Sequence, residues 1–287
     1  MTSPLDSLTQ INLDDLVASF GWQDSPLLAR LLRRLFLQPA RTFARQMVEF
    51  DEAVAARGLT EAARLTQRHF VRSVRVFGLE LVPASAFLAL SNHPGMSDTL
   101  SIFGALNRTD LKIIALDRPF PMALPNMSRQ LFFVREDPAA RMTLVRQVSG
   151  HLRSGGAALT FPAGHIEPDP DVYPGAVESL QNWTDSVGVF IRMAPETAIL
   201  PIFVRGVIWD KTAKHWLLAI KKTRQERDPG RGFATSGARG FQAERCPCAG
   251  ANRQADLRQR VGHDRHAGDP SSRVGRDETP DRESARG

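Results

Sequence analysis

The stretch "FLALSNHPGMSDTL", residues 87–100, carries three patterns in direct succession. Its first four residues are apolar, the next positions include His93, Pro94 and Gly95, and helical spacing follows. This order is typical of a buried strand that ends in a turn and leads into a helix. Because Pro94 and Gly95 force the turn, we expect His93 to emerge at the carboxyl end of the strand, where open α/β sheets bind ligands.

Asp98 follows His93 by five residues and falls in the first turn of the predicted helix, where the helix dipole favours a negative charge. Ser97 is the predicted N-cap of that helix. At this spacing the Asp98 carboxylate can fold back to one ring nitrogen of His93, which fixes the tautomer and leaves the other nitrogen as a base. The alternative is that both side chains only order the turn, and the spacing alone leaves it open.

Short apolar runs alternate with helical patterns between residues 70 and 222. The predicted strands are "VRSVRVFGLEL" at 71–81, "FLALS" at 87–91, "LKIIAL" at 111–116, "LFFV" at 131–134, "AALTF" at 157–161, "ILPIFVRGVI" at 199–208 and "HWLLAIKK" at 215–222. The predicted helices cover 98–107, 138–154 and 175–194. Alternation of this kind predicts an α/β fold, a mixed sheet flanked by helices, over residues 70–227.

Residues 1–69 form a helical N-terminal arm in this interpretation, because their apolar residues recur every three or four positions, with breaks at Pro39 and Gly58. Within it, "LLARLLRRLFL" at 27–37 places arginines among leucines. We expect a helix of this composition to lie on a membrane surface. The alternative is that the helix packs on the α/β domain.

Residues 228–287 differ in composition from the rest of the chain. They contain eleven Arg and no Lys, and only Leu257, Val261 and Val274 represent the aliphatic Leu, Ile, Val and Met. Such a segment cannot bury enough apolar area to offset the entropy of ordering, so we expect a disordered tail. The abrupt change also suggests the hypothesis that the tail is translated from a shifted reading frame.

The charge and the cysteines restrict the class of partner and compartment. A net charge of +6 favours anionic partners such as lipid headgroups, phosphorylated substrates, acyl carriers or nucleic acid. Cys246 and Cys248 match neither a disulfide framework nor a zinc site, which favours a reducing cytoplasm. No signal peptide opens the chain and no apolar run is long enough for a membrane span, so we expect no bilayer crossing.

Four stretches occur in the order "NHPGMSD", "LFFVRED", "FPAGHIEP" and "LPIFVRG". In this order the chain resembles the glycerolipid acyltransferase superfamily, whose best-known members are the lysophosphatidic acid acyltransferases. The resemblance covers roughly residues 70–210. It implies that His93 is the general base and that Asp98 is its orienting partner.

The other three motifs imply substrate contacts. The second motif falls on Phe132 and Arg135, and the family's arginine there binds the phosphate of the acceptor. The third falls on Phe161, Pro162 and Gly164, and the fourth on residues 200–202. By analogy with the family, backbone N–H groups near Gly164 are expected to hold the developing oxyanion.

The third motif departs from the family pattern, because Ala163 stands where the family carries Glu and His165 where it carries Thr. We expect His165 and Glu167 to replace the missing contacts to the acceptor in part. The sequence "HIE" also resembles the H-x-E of zinc deaminases, but the P-C-x-x-C that those enzymes need is absent, so no metal site is predicted.

The resemblance implies transfer of a fatty acyl group from acyl-CoA or acyl carrier protein to a hydroxyl of a glycerolipid or related acceptor. No cofactor beyond the thioester co-substrate and no nucleic-acid partner is expected. The expected location is the cytoplasmic face of the membrane, with the N-terminal helices on its surface. The alternative is a catalytically silent lipid-binding or interaction protein on the same fold.

Overall fold

The computed structural model describes residues 3–208. The strand predicted at 215–222 and the tail predicted at 228–287 lie outside these residues. The helices are α1 (Pro4–Ser19), α2 (Pro26–Arg57), α3 (Leu59–Gln67), α4 (Met96–Leu106), α5 (Pro119–Met122), α6 (Pro125–Ser128), α7 (Pro138–Arg153) and α8 (Ser186–Met193), with 3₁₀ turns at Leu79–Leu81 and Glu178–Asn182. The strands are β1 (Phe87–Ser91), β2 (Lys112–Leu116), β3 (Leu131–Val134), β4 (Ala157–Thr160) and β5 (Ala198–Ile202).

The five strands form one sheet in the order β3-β2-β4-β1-β5. Each of the pairings described is parallel, with Leu88 of β1 opposite Ala158 of β4 and Ile199 of β5. The predicted α/β class, with helices flanking a sheet, is therefore confirmed. The antiparallel pairing that a mixed sheet needs does not occur within residues 3–208.

The central strands β1 and β4 are buried on both faces of the sheet, as strands of parallel sheets usually are. Alternate strand residues such as Phe87, Ala89 and Leu159 pack on the face covered by α1 to α4 and α6, which we call the α4 face. Their neighbours Leu88 and Ala158 pack on the opposite face against α7 and α8, which we call the α7 face. The period of two along each strand thus assigns the buried apolar strand residues to one of two cores.

The N-terminal arm is helical, as predicted, but its first predicted break is wrong. Helix α2 continues through Pro39, although a proline inside a helix loses a backbone hydrogen bond and costs about 3 kcal/mol or more. Leu32 and Ala44, on either side of Pro39, are buried where α2 packs on its neighbours, and this packing offsets the cost. The predicted break at Gly58 is confirmed, since its φ of 82° lies in the left-handed region that glycine tolerates.

The strand predicted at 71–81 is wrong. This segment has no strand and contains only the 3₁₀ turn at Leu79–Leu81. Residues 70–79 instead line one wall of a cleft of about 880 Å³, whose other wall includes β5 and residues 203–207. The alternating pattern needs a neighbouring strand to become a ladder, and within residues 3–208 no strand pairs with this segment.

Two further predicted elements are shorter than expected. The strand predicted at 199–208 ends at Ile202, because the backbone of Val204 bonds to the side chain of Asn92 and not to a strand. Of the helix predicted at 175–194, only Ser186–Met193 is α-helical, and Glu178–Asn182 is a 3₁₀ turn. Between the two, the N–H of Thr184 donates to the carbonyl of Pro162. In both places a long-range hydrogen bond outweighs the local preference.

Asp51 of α2 connects the N-terminal helices to the α/β part of the chain. Its buried carboxylate accepts hydrogen bonds from the backbone N–H groups of Asn126 and Met127 and from the Asn126 side chain. The carboxylate thus satisfies donors at the start of α6 that have no partner within that short helix.

We predict that Asp51→Ala lowers the free energy of unfolding by about 2 kcal/mol or more, since each buried donor left without a partner costs about 1–3 kcal/mol. Urea denaturation measures the change. Glu52→Ala, at the adjacent exposed position, removes the same charge and is the matched control, with an expected change within about 0.5 kcal/mol. Equal destabilisation by the two substitutions would contradict this role of Asp51.

Candidate active site

The chain leaves the adjacent strands β1 and β4 in opposite directions. After β1 it enters α4, on one face of the sheet, and after β4 it continues to α8, on the other face. Divergence of this kind opens a crevice at the carboxyl ends of two parallel strands, and ligands of open α/β proteins bind there. His93 follows β1 and Phe161 follows β4, so both residues lie at this crevice.

His93 and Asp98 are in direct contact. The Nδ1 atom of His93 lies 2.9 Å from Oδ2 and 3.2 Å from Oδ1 of Asp98. The Asp98 side chain is fully buried, whereas that of His93 is 23% exposed. The backbone N–H of Gly95 and the hydroxyl of Thr99 also donate to the Asp98 carboxylate, at 2.9 and 2.8 Å.

This network assigns the histidine tautomer. A carboxylate surrounded by donors acts as an acceptor only, so the proton of the His93 ring belongs on Nδ1 and the lone pair on Nε2. The start of α4 contributes to the geometry, because the helix begins at Met96 with Gly95 as its N-cap. The prediction that Ser97 is the N-cap is therefore wrong, since Ser97 lies inside the first turn.

The ring of Phe161 packs on one face of the His93 ring. The two rings are stacked, with centroids 4.3 Å apart and planes inclined by 29°. The imidazole is therefore fixed at one edge by the Asp98 carboxylate and on one face by an aromatic ring. Phe161 was predicted as a substrate contact, and the structure places it beside the candidate base.

Glu167 lies against the backbone of His93. Glu167 is only 2% exposed, and its carboxylate accepts hydrogen bonds from the N–H of His93 and from the indole N–H of Trp183, both at 2.9 Å. The Ser179 hydroxyl lies 3.0 Å from the same carboxylate and 2.7 Å from the carbonyl of Ala176, and its one proton can serve either acceptor. In return, the N–H of Glu167 donates to the carbonyl of His93 at 2.8 Å. The carboxylate expected to meet the acceptor is thus buried among protein donors.

The rest of the third motif forms the rim of the crevice. Pro162 and Ala163 are buried, whereas Gly164 and His165 are exposed. Gly164 has a φ of 66°, and its N–H donates to the carbonyl of Phe161 at 2.9 Å. Because that N–H is already bonded within a turn, it is not available for an oxyanion. The expectation that a backbone N–H group holds the developing oxyanion therefore concerns other N–H groups near Gly164.

Arg135 and Phe132 lie at the far edge of the sheet, on and just after β3. In the strand order, β3 lies three positions from β1, the strand that His93 follows. Neighbouring strands are about 4.8 Å apart, so β3 and β1 are about 14 Å apart. Phe132 packs on the α7 face, edge-on to His151. Arg135 is more exposed and forms an ion pair from Nε to Asp117 Oδ2 at 2.8 Å.

Sequence reasoning missed Thr99, Ser179, Trp183 and Asp117, each of which bonds to a predicted site residue. Thr99 adjoins Asp98 and could have been found as a local donor. Ser179 and Trp183 are separated from Glu167 by 12 and 16 residues, and no spacing rule connects them. Across residues 3–208, no group of three or more His, Cys, Asp and Glu side chains could hold a metal ion.

Comparison with known proteins identifies no relative of this chain. No protein-family model, curated protein or solved structure matches the chain. The resemblance to glycerolipid acyltransferases therefore stays an expectation that depends on the four motifs and on the chemistry of the residues themselves.

Proposed function

We propose that the protein is an O-acyltransferase that moves a fatty acyl group from acyl-CoA or acyl carrier protein to a hydroxyl of a glycerolipid or related acceptor. The observation that supports this most is the contact between His93 Nδ1 and the buried Asp98 carboxylate at the crevice between β1 and β4. This contact leaves Nε2 as an acceptor, which is the state that a general base needs.

In the proposed reaction, Nε2 of His93 takes the proton of the acceptor hydroxyl while the hydroxyl oxygen attacks the thioester carbonyl. The tetrahedral intermediate then expels the thiolate, which takes the proton back from His93 and leaves as the thiol. Asp98 stabilises the imidazolium that exists between these steps. A positioned base of this kind contributes about 10²–10⁴-fold to the rate.

The first two hydroxyl groups that follow His93 along the chain belong to Ser97 and Thr99. Their surroundings favour attack by a hydroxyl of the substrate over attack by a protein nucleophile. The Thr99 hydroxyl donates to Asp98, and Ser97 is buried in the first turn of α4. The Thr99 proton is thus given to Asp98 and not to Nε2. Attack by a hydroxyl of the substrate requires only the base and a good leaving group, and a thiolate supplies the latter.

Arg135 is the proposed contact for a phosphate on the acceptor. Its partner Asp117 follows β2, one strand closer to His93, so the ion pair draws the guanidinium towards the centre of the sheet. The remaining guanidinium N–H groups can meet a phosphate with charge-assisted hydrogen bonds. Since Asp117 offsets part of the positive charge, we propose that phosphate-free alcohols are accepted as well.

A peripheral position on an anionic membrane is the proposed location. No helix within residues 3–208 is long and apolar enough to span a bilayer. The first turns of α2 expose Leu27, Leu31 and Leu35, which recur every fourth residue and so form one row on the helix. Arg30 and Arg34 are exposed beside this row, a composition that suits an interfacial helix.

We predict that His93→Ala abolishes release of free thiol from acyl-CoA in the presence of an acceptor alcohol, and that Asp98→Asn reduces the rate less but still severely. The first change removes the base, whereas the second disturbs its tautomer. Thiol release with a panel of acceptors measures both. His69→Ala removes an exposed histidine and is the control.

Near-normal turnover by His93→Ala would contradict the assignment of the base. If the unmodified protein binds lipid but turns over no thioester, the catalytically silent alternative is favoured instead.

We predict that Arg135→Ala raises KM for lysophosphatidic acid by about 10-fold or more, because hydrogen bonds to a charged group contribute about 1.5–3 kcal/mol. Turnover of a phosphate-free alcohol should change little. The control is Arg146→Ala, an exposed arginine on α7. A strict preference for lysophosphatidic acid that Arg135→Ala leaves intact would contradict this acceptor site.

We predict that replacing Leu27, Leu31 and Leu35 with Gln weakens binding to anionic vesicles, since apolar contact with the lipid is lost. Added salt should weaken the binding of the unmodified protein, since it screens the arginines. Flotation with vesicles measures both effects. Leu180→Gln, at an exposed leucine in a 3₁₀ turn, is the control, whereas Leu32 is buried against α1 and is unsuitable. Flotation that neither change affects would contradict a membrane role for α2.

A further inference from the structure

Glu167 is a buried acid next to the candidate base His93. The proposed reaction does not use the contacts that Glu167 makes. Its carboxylate accepts hydrogen bonds from the N–H groups of His93 and Trp183, and the Ser179 hydroxyl, which also faces the Ala176 carbonyl, is a third donor group beside it. A carboxylate accepts and does not donate when it is ionised, so these donor groups match the ionised form. Burying that charge is costly without such bonds, and the fold supplies them from neutral groups.

The contact between Glu167 and His93 is reciprocal. The backbone N–H of His93 donates to the Glu167 carboxylate, and the backbone N–H of Glu167 donates to the His93 carbonyl. The pairing of β1 with β4 ends at Leu90 and Thr160. The two bonds therefore connect the chain segments beyond that point, where the strands have diverged and no ladder holds them together.

We propose that Glu167 is a positioning residue, which fixes the backbone of His93 so that the imidazole stays between Asp98 and Phe161. This inference rests on the proposed function, since it assigns Glu167 to the base and not to the acceptor. Asp98 holds the ring of His93, whereas Glu167 holds its main chain. A base displaced by about 1 Å loses about 10²-fold in rate even when substrate binding survives.

Ser179 and Trp183 complete the arrangement, because they hold the carboxylate on the side away from His93. Both bond to Oε1, whereas the N–H of His93 bonds to Oε2. Neither has a described bond to His93 itself. Loss of either donor should therefore affect the base only through Glu167. Trp183→Phe tests this, because it removes the N–H donor and keeps an aromatic ring, although a smaller one.

The experiment compares Glu167→Gln, Trp183→Phe and Ser179→Ala with the control Glu178→Gln, which removes an exposed carboxylate from the same 3₁₀ turn as Ser179. Steady-state kinetics with acyl-CoA and one acceptor alcohol give kcat and KM. The NMR signal of the His93 Nδ1 proton reports its bond to Asp98 without any need for turnover. Thermal unfolding identifies variants that do not fold.

We expect Glu167→Gln to lower kcat by about 10–100-fold with KM within about 2-fold, because the amide brings an N–H group towards donors and loosens the main chain. Trp183→Phe and Ser179→Ala should lower kcat by less, and the His93 Nδ1 proton signal should shift or broaden in all three. Glu178→Gln should match the unmodified protein in each measurement.

A raised KM with unchanged kcat in Glu167→Gln would overturn the proposal and return Glu167 to the acceptor. An unchanged kcat with an unchanged proton signal would overturn it too. If Glu167→Gln does not fold, Trp183→Phe decides by the same criteria. If the unmodified protein has no turnover, the proposed function fails, and the proton signals alone decide whether Glu167 positions His93.

Discussion

The buried Asp98 carboxylate is the constraint on which the rest of the site depends. It accepts hydrogen bonds from the backbone at Gly95, the hydroxyl of Thr99 and the ring of His93. One charged group thereby directs the turn after β1, starts α4 and orients the imidazole. These bonds offset the cost of burying the charge, and so the turn, the helix start and the histidine tautomer depend on one another.

Buried carboxylates bonded to backbone N–H groups recur across the described part of the chain. Asp51 bonds to α6, Asp98 to the turn before α4, and Glu167 to the backbone of His93. Asp169, which is fully buried, accepts from the N–H groups of Gly206 and Ile208. Asp98 caps the start of its own helix, whereas the other three connect segments that no sheet ladder or single helix would hold. Asp98, Glu167 and Asp169 surround the ends of β1, β4 and β5. Neutral donors thus satisfy these carboxylates and stabilise the loops around the crevice.

The parallel sheet explains why these loops meet. With β1 beside β4 and the following helices on opposite faces, the carboxyl ends of the two strands diverge and leave space between them. His93 and Phe161 stack across that space. Arg135, at the end of β3, lies about three strand spacings away, so a substrate that reaches both Arg135 and His93 must extend across the ends of β2 and β4.

The sequence alone predicted those features that depend on contacts within one short segment of the chain. The apolar runs predicted β1 to β4, and the five-residue spacing predicted the contact between His93 and Asp98, because a turn and one helical turn determine that distance. Only the tertiary structure decided the strand order, the burial of Glu167 among Ser179 and Trp183, the passage of α2 through Pro39 and the absence of a strand at 71–81. Those outcomes depend on contacts between residues far apart in the chain, whose free energies exceed the local preferences that a sequence pattern records.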